Sequence, residues 1–406
     1  MKALFARLTL FLFVGLSMLV HYIGCRLRRP ATRSDSLPFR VFLIGAFDSG
    51  GWLEAHVGPL VKCQRVDEVH VICDVPVPVN LPNVFFHCPS AGTRRAFGRG
   101  ISRILMLLRS GLELRPTIFM GYHIMPNAPL ALLAAGICGG KAIYQMTGGP
   151  IQVIGGGFQS ENPLLCATGS PSRIQERLLL SMLNCFDLIV VRGSNSVEFL
   201  RRHGLEKKSL IITGAINIEK FCPSQGEKDG SLVSIVRLVK NKGVEPYLMT
   251  IQKLSAKGQT TNNRLVGDGP VRAEFERLAR ELSIERNVEF CGRLTDVTPV
   301  LGRSRIFVLL SPSEGMSIAM LEAMACGLPP VILDVGDLGD AVLDGHNGLI
   351  FKNFDADTIS SRIIELLADP AKLKVLSDNA RQVIVERFSV ASISSRWDEA
   401  LHILMQ

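Results

Sequence analysis

Between Ile306 and Pro329 the chain reads as strand, turn, helix and stop, an order that few architectures accept with these residues. Ile306 to Leu310 is a β-branched apolar run of the kind buried on both faces of a parallel sheet. Ser311-Pro-Ser turns the chain, Glu314-Gly315 leads into a helix expected from Met316, and Gly327-Leu328-Pro329 stops it. In α/β proteins, ligands bind where strands hand over to helices, at the carboxyl edge of the sheet. The helix start offers unpaired N–H groups and a partial positive charge. Glu314 stands at that mouth. Glu322 follows inside the helix, where Ile318, Met320, Leu321, Ala323, Met324 and Ala325 leave it little polar company. Eight residues of helix rise about 12 Å, beyond the roughly 5–9.5 Å between the carboxylates of a glycosidase. Two acids so spaced suit the two ends of one long ligand.

The same alternation runs along the chain. Strands are expected at Phe39–Gly45, Glu68–Cys73, Val84–His87, Ile118–Met120, Lys141–Met146, Leu188–Val191, Leu210–Ile212, Leu232–Val236, Val331–Leu333 and Leu349–Phe351. Helices are expected at Trp52–Cys63, Ile101–Leu108, Leu130–Ile137, Gln175–Asn184, Ser194–His203 and Ala391–Gln406. Repeated βα units mean parallel sheets, and 406 residues suffice for two domains with sizeable cores.

Ten scattered cysteines form no Cys-x-x-Cys and join no histidine cluster, which argues for reduced, buried thiols and against a zinc site or a disulfide scaffold. The net charge of +8 is front-loaded: up to Arg40 stand seven Lys/Arg and one acid. That placement speaks against nucleic acid as partner and for an anionic membrane surface. Leu8 to Cys25 is an 18-residue apolar run, about 27 Å as a helix, just short of the ~30 Å hydrocarbon core. A marginal membrane anchor, a secretory signal, and a mis-called start or loose extension are the three open accounts of residues 1–36. Arg26, Arg28 and Arg29 favour a cytoplasmic downstream part. Arg95, Arg99 and Arg103 fall on one helical side opposite Ile101, Ile104, Leu105 and Leu108, which suits a solvated face over a core face, or a membrane-lying stripe.

The stretch Glu314-Gly-x6-Glu322-Ala, with its Gly-Leu-Pro exit, resembles the Glu-x7-Glu motif of the retaining family 4 glycosyltransferases (glycosyl transferases group 1) of the GT-B fold. The resemblance implies Glu314 at the donor sugar, Glu322 at the nucleotide ribose, and the backbone of Gly315, Met316 and Ser317 facing sugar hydroxyls or diphosphate. Arg237-Leu-Val-Lys-Asn-Lys242-Gly243 matches the family's Gly-Arg-Leu…Glu-Lys-Gly, with Val236 in place of the usual Gly. A leaving diphosphate gains negative charge as the glycosidic bond breaks, so Arg237 and Lys242 stand as leaving-group stabilisers. Val266-Gly-Asp-Gly-Pro270 fits the family; as a dinucleotide fingerprint it fails, since Arg272 replaces the third Gly. Arg293 is implied near the base. Asp48-Ser-Gly50-Gly51 implies a loop beside the diphosphate and the acceptor. Thr147-Gly148 stands where the family often has His-Gly, and Thr147 is expected to offer a hydroxyl in its stead. Gly155-Gly-Gly157 is expected to be a mobile acceptor loop, and His123, which could approach the acceptor, a buried structural histidine.

The implied fold is α/β: two Rossmann-like domains facing each other across a cleft, with a C-terminal helix, carrying Trp397, returning to the N-terminal domain. Expected bounds are 37–222 with 388–406, and 230–387, joined through the apolar-free Ser224–Gly230. The implied partners are a nucleotide diphosphate sugar, a carbohydrate or lipid-linked acceptor, and a membrane surface. No cofactor or metal is implied, and Asp355-Ala-Asp357 is expected to cap a helix. A catalytically weak partner subunit and a nucleotide-sugar epimerase of the same fold are the alternatives.

Overall fold

Seven parallel strands and six parallel strands build two separate sheets in the computed structural model, which describes residues 2–27, 38–45, 47, 49–160, 162–229, 232–259 and 262–405. The first compact unit is Met1–Ala215 with Ile393–Gln406, and the second is Ile216–Ser392. Arg28, Arg29, Arg33, Asp48 and Gly230 lie outside the described residues.

Unit 1 contains β1 (Phe39–Ile44), β2 (Val66–Ile72), β3 (Val84–His87), β4 (Ile118–Tyr122), β5 (Lys141–Met146), β6 (Leu188–Val191) and β7 (Ser209–Ile211), in spatial order β3-β2-β1-β4-β5-β6-β7. Its helices are α1 (Lys2–Leu27), α2 (Gly50–Val61), α3 (Ala91–Leu114), α4 (Asn127–Cys138), the short α5 (Pro163–Cys166), α6 (Arg173–Asn184) and α7 (Ser194–Arg202). Unit 2 contains β8 (Leu232–Ile235), β9 (Asn263–Val266), β10 (Val288–Gly292), β11 (Ile306–Leu309), β12 (Pro330–Leu333) and β13 (Leu349–Phe351), in order β10-β9-β8-β11-β12-β13. Around them lie α8 (Val244–Ala256), α9 (Arg272–Glu281), α10 (Thr298–Arg303), α11 (Ile318–Ala325), α12 (Ala356–Ala368) and α13 (Pro370–Val383). The last helix, α14 (Val390–Met405), belongs to unit 1 from Ile393 onward. There Asp398 accepts from Cys63 Sγ at 2.8 Å and from the Arg65 N–H at 3.3 Å, and Trp397 is buried. Burial and this carboxylate push the Cys63 thiol up to about 12.

α4 explains the position of α1. Its sequence, Asn-Ala-Pro-Leu-Ala-Leu-Leu-Ala-Ala-Gly-Ile-Cys, carries no charge, and a helix apolar all round needs cover on every side. The sheet covers one side. α1 covers the other, burying Leu10, Val14, Ser17 and His21, with Leu10 and Val14 in the same core cluster as Leu130, Ala131 and Ala134. The crossing is so close that a Cβ on Gly24 would stand 2.1 Å from the Gly136 carbonyl oxygen. Small residues at such points let two helix backbones meet. At its other end α1 is tied by Arg7, whose guanidinium donates to Ser170 O and Oγ at 2.8 Å each. α1 is long and apolar enough to cross a membrane, yet it packs along its length on the rest of unit 1.

Four expectations need correction. Arg95, Arg99 and Arg103 do not share a face. Gly98 (φ 72°, ψ 170°) breaks the helical path, and Arg103 is buried, donating to the Gly45 and Ile72 carbonyls at the ends of β1 and β2. Ile101 and Leu105, expected in the core, are exposed, while Leu107 is the buried residue. Ser224–Asp229 is no free tether, because Asp229 pairs with Arg264 and its N–H donates to Arg303 O at 3.0 Å. The ten cysteines are free, but only Cys63, Cys73 and Cys326 are buried, and Cys25, Cys166 and Cys222 are exposed.

Candidate functional site

In unit 2 the carboxyl ends of the strands are drawn together by backbone contact. The turn after β8 reaches β11 through Gly243, whose positive φ of 71° no β-carbon would tolerate here: it would sit 2.4 Å from Leu310 C. Ser311 Oγ donates to Asn241 O and Ser313 O at 3.1 Å each, fastening the same two loops. Gly336, after β12, approaches Glu314 so closely that a Cβ would stand 1.8 Å from its carbonyl oxygen. On the other flank, Leu238 N–H donates to Asp268 O at 3.0 Å, and Gly267 N–H to Gly292 O at 2.8 Å. The ends of β8, β9, β10, β11 and β12 thus form one continuous rim.

On this rim Lys242 Nζ donates to both oxygens of Glu314 at 3.1 Å. The pair is largely out of water, with side chains 23% and 13% exposed. A cation and an acid drawn from separate loops meet here. Arg237 lies exposed on the same loop as Lys242, and Arg293 lies exposed after β10 on the same rim. The helix begins later than expected. Ser317 is its N-cap, accepting from the Met320 N–H at 3.3 Å, and α11 starts at Ile318, so Gly315 and Met316 belong to the approach to the helix. Glu322 lies half-buried midway along α11, four residues before Cys326. Burial is the main cause that pushes the Cys326 thiol up to about 12, with the Cys222 and Glu322 charges adding to it. Asp355 caps α12 by accepting from the Asp357 N–H at 3.1 Å.

The carboxyl edge of unit 1 carries a second polar group, by itself. Thr147 Oγ1 and His123 Nδ1 are hydrogen-bonded at 2.8 Å, and Gln152 Nε2 lies 3.4 Å from the same nitrogen. His123, expected to be buried, is half-buried and has a positive φ of 63°. Gly148 is exposed beside it. Gly50 and Gly51 are not loop residues: Ser49 caps α2, and both glycines form its first turn, Gly50 packed near Pro78 O and Gly51 open. Gly155–157 is not a mobile loop either. Glu176 accepts from the Gly155 N–H at 2.7 Å, and buried Gln175 donates to Gly156 O at 2.6 Å.

Beneath this edge lies a network that sequence reasoning missed. Arg192 is buried and donates to Ile212 O at 2.6 Å and Gln145 Oε1 at 3.2 Å. His56 of α2 packs on Trp52 in a tilted arrangement, ring centroids 4.2 Å apart, and its buried Nδ1 finds no hydrogen-bond partner among the described residues. Burial, then the Arg192 and His123 charges, hold the His56 imidazole well below its ordinary range. Its only signal was a histidine within the apolar run Ala55–Val61 of α2. His56 stays neutral in the folded chain and takes a proton when unfolded, so stability rises with pH. The melting temperature is therefore expected to drop as pH falls through about 6.5. His56→Leu is expected to flatten that pH slope, measured by calorimetry; an unchanged slope assigns it to other groups.

Residues 217–383 match the family model for glycosyl transferases group 1. Among curated proteins, the chain is 29% identical over 172 residues to the N-acetyl-alpha-D-glucosaminyl L-malate synthase of Bacillus anthracis, covering 42% of this chain and 45% of that one. It is 29% identical over 222 residues to the N,N'-diacetylbacillosaminyl-diphospho-undecaprenol alpha-1,3-N-acetylgalactosaminyltransferase of Campylobacter jejuni, covering 50% and 57%. The chain thus spans about half the length of the curated relatives it matches. Among solved structures, Anabaena Alr3699/HepE in complex with UDP-glucose superposes with a TM-score of 0.68 at 17% identity, over 89% of this chain and 99% of that one. That likeness shows the two-sheet α/β architecture. The model for glycosyl transferases group 1 thus matches the stretch that carries the rim motifs, and the two-sheet α/β architecture is that of the GT-B fold.

Proposed function

We propose that the chain is a retaining glycosyltransferase that moves a sugar from a nucleotide diphosphate sugar to an acceptor hydroxyl on a carbohydrate or lipid-linked carrier. The observation that carries this is the Lys242–Glu314 pair on the rim of unit 2, 3.1 Å apart and mostly shielded from water. In the free chain each neutralises the other. A bound donor separates their duties: Lys242, with Arg237, takes the diphosphate, and Glu314 takes the sugar. Charge on the departing phosphate grows as the anomeric bond lengthens, and a fixed cation in a poorly solvated site lowers that barrier. Glu322 holds the ribose, Gly315, Met316 and Ser317 line the sugar end, and Arg293 lies by the base. Gly50 and Gly51 are assigned to the diphosphate and the acceptor, and Thr147 with Gly148 to the sugar. Attack on the front face, with the leaving phosphate taking the acceptor proton, needs no protein nucleophile.

The weak-subunit alternative rested on the histidine missing at Thr147. An imidazole is nevertheless present, since His123 is bonded to Thr147 at 2.8 Å, which favours an active enzyme. The complex of HepE is with UDP-glucose, which supports a nucleotide-sugar donor here. The Campylobacter relative is named for a diphospho-undecaprenol acceptor, which supports a lipid-linked one, with chemistry on the cytoplasmic face and α1 meeting the membrane. Nucleoside diphosphates at about 100 Kd are expected to stabilise the full chain by about 2.7 kcal/mol, read as a rise in melting temperature. Labelled donor should then lose its sugar to acceptor or water, and Glu314→Ala should abolish this. No shift with any nucleoside diphosphate, or isomerised free sugar alone, overturns the assignment.

A further inference from the structure

We infer that α1 lies in the plane of an anionic bilayer surface, docked through its outer face while its inner face stays on α4, and that it does not span the membrane. The helix has two apolar faces with different partners. Leu10, Val14, Ser17 and His21, with Gly24 against Gly136, form the inner face. Leu8, Leu12, Leu16, Leu19 and Ile23 recur every three or four residues on the other side, and all are exposed. Leu4, Phe5 and Leu27 extend that stripe over the full helix. An uninterrupted apolar stripe of this length marks an interaction surface.

A spanning helix would present both faces to lipid. That would strip α1 from α4, uncovering the uncharged α4 and undoing the Gly24–Gly136 crossing and the Arg7–Ser170 tie. Lying flat needs none of this, and a helix in the interfacial plane buries its outer face about 5–10 Å deep.

Charge identifies the surface it meets. α1 carries three basic residues and no acid, and α3, which also packs on α4, carries five basic residues and one acid. These two helices account for +7 of the chain's net +8. α3 adds exposed Phe97, Ile101, Leu105 and Leu112, beside exposed Arg95 and Arg99. Two copies of this chain would face each other with like charge, whereas anionic headgroups are complementary to it. The Arg26 guanidinium over the exposed Tyr22 ring, 4.6 Å from its centroid, puts an amphipathic aromatic and a cation at the end of the stripe, the pairing favoured at headgroup depth.

This deepens the membrane contact proposed above and is independent of sugar transfer. The full chain, tagged at its N-terminus, is mixed with preformed vesicles of phosphatidylcholine with or without phosphatidylserine and floated. Binding is expected only to the anionic vesicles, and protease added outside should remove the tag. Leu8→Glu/Leu12→Glu/Leu16→Glu should cut the bound fraction at least about tenfold, with melting temperature and donor hydrolysis unchanged. A protected tag, retained binding in that variant, or self-association without vesicle binding overturns the inference. If the variant misfolds, tag accessibility in the unaltered chain still decides. Absence of hydrolysis in the unaltered chain, with vesicle binding intact, counts against the transfer reaction alone.

Discussion

Lys242→Ala is expected to lower the rate of nucleoside diphosphate release about 10²–10³-fold, chiefly in kcat. The reason is geometric. Lys242 sits in a site only 23% exposed, fixed by Glu314 at 3.1 Å, so its charge meets a developing phosphate charge with little water to screen it. Arg237, exposed on the same loop, acts through more solvent, and Arg237→Ala is expected to fall in the same direction by a smaller factor. Glu314→Gln removes the partner of Lys242 as well as the proposed sugar contact. The double variant should therefore cost less than the two single losses combined, since both residues serve one event. Initial rates with one donor decide the matter. Wild-type kcat in Lys242→Ala would leave the ion pair a structural tie between loops and remove the central support for the mechanism.

The second large effect concerns α1. Removing residues 2–27 uncovers the outer side of α4, a helix without a single charge. Leu10 and Val14 alone, buried against it, stabilise the fold by about 3–6 kcal/mol together, a large share of the ~5–15 kcal/mol that typical domains possess. Truncated protein is thus expected to aggregate or to melt far below the full chain. Gly136→Leu tests the same contact without deletion: its side chain would meet the α1 backbone, with His21 Cα 2.7 Å from the first added carbon. About 1–3 kcal/mol or more of destabilisation is expected, read by chemical denaturation. Equal stability of the two proteins would mean that α1 leaves α4 in solution.

The strands were legible because buried parallel strands are short apolar runs closed by turn residues. Lys141–Met146, Leu188–Val191 and Leu349–Phe351 fall where periodicity put them. The Lys242–Glu314 convergence was legible through its two motifs and their positions after strands. Helix starts were less so. Capping decides them, and the caps at Ser49 and Ser317 moved Gly50 and Gly51 into a helix and Met316 out of one. Arg103 shows the limit of face counting, because one left-handed glycine at position 98 rotates everything after it. The covering role of α1 was hidden for a different reason. An apolar helix has the same sequence whether lipid or another helix sits against it, and only the partner, here Gly136, tells them apart.

Asp398 holds Cys63 and the turn after it from the far side of the sequence. Unit 2 is one unbroken stretch, whereas unit 1 is interrupted by the whole of it. During synthesis the ribosome therefore releases every residue of unit 2 before it releases the helix that completes unit 1. The half that begins first is the half that matures last, and it must wait with the Trp397 pocket unfilled.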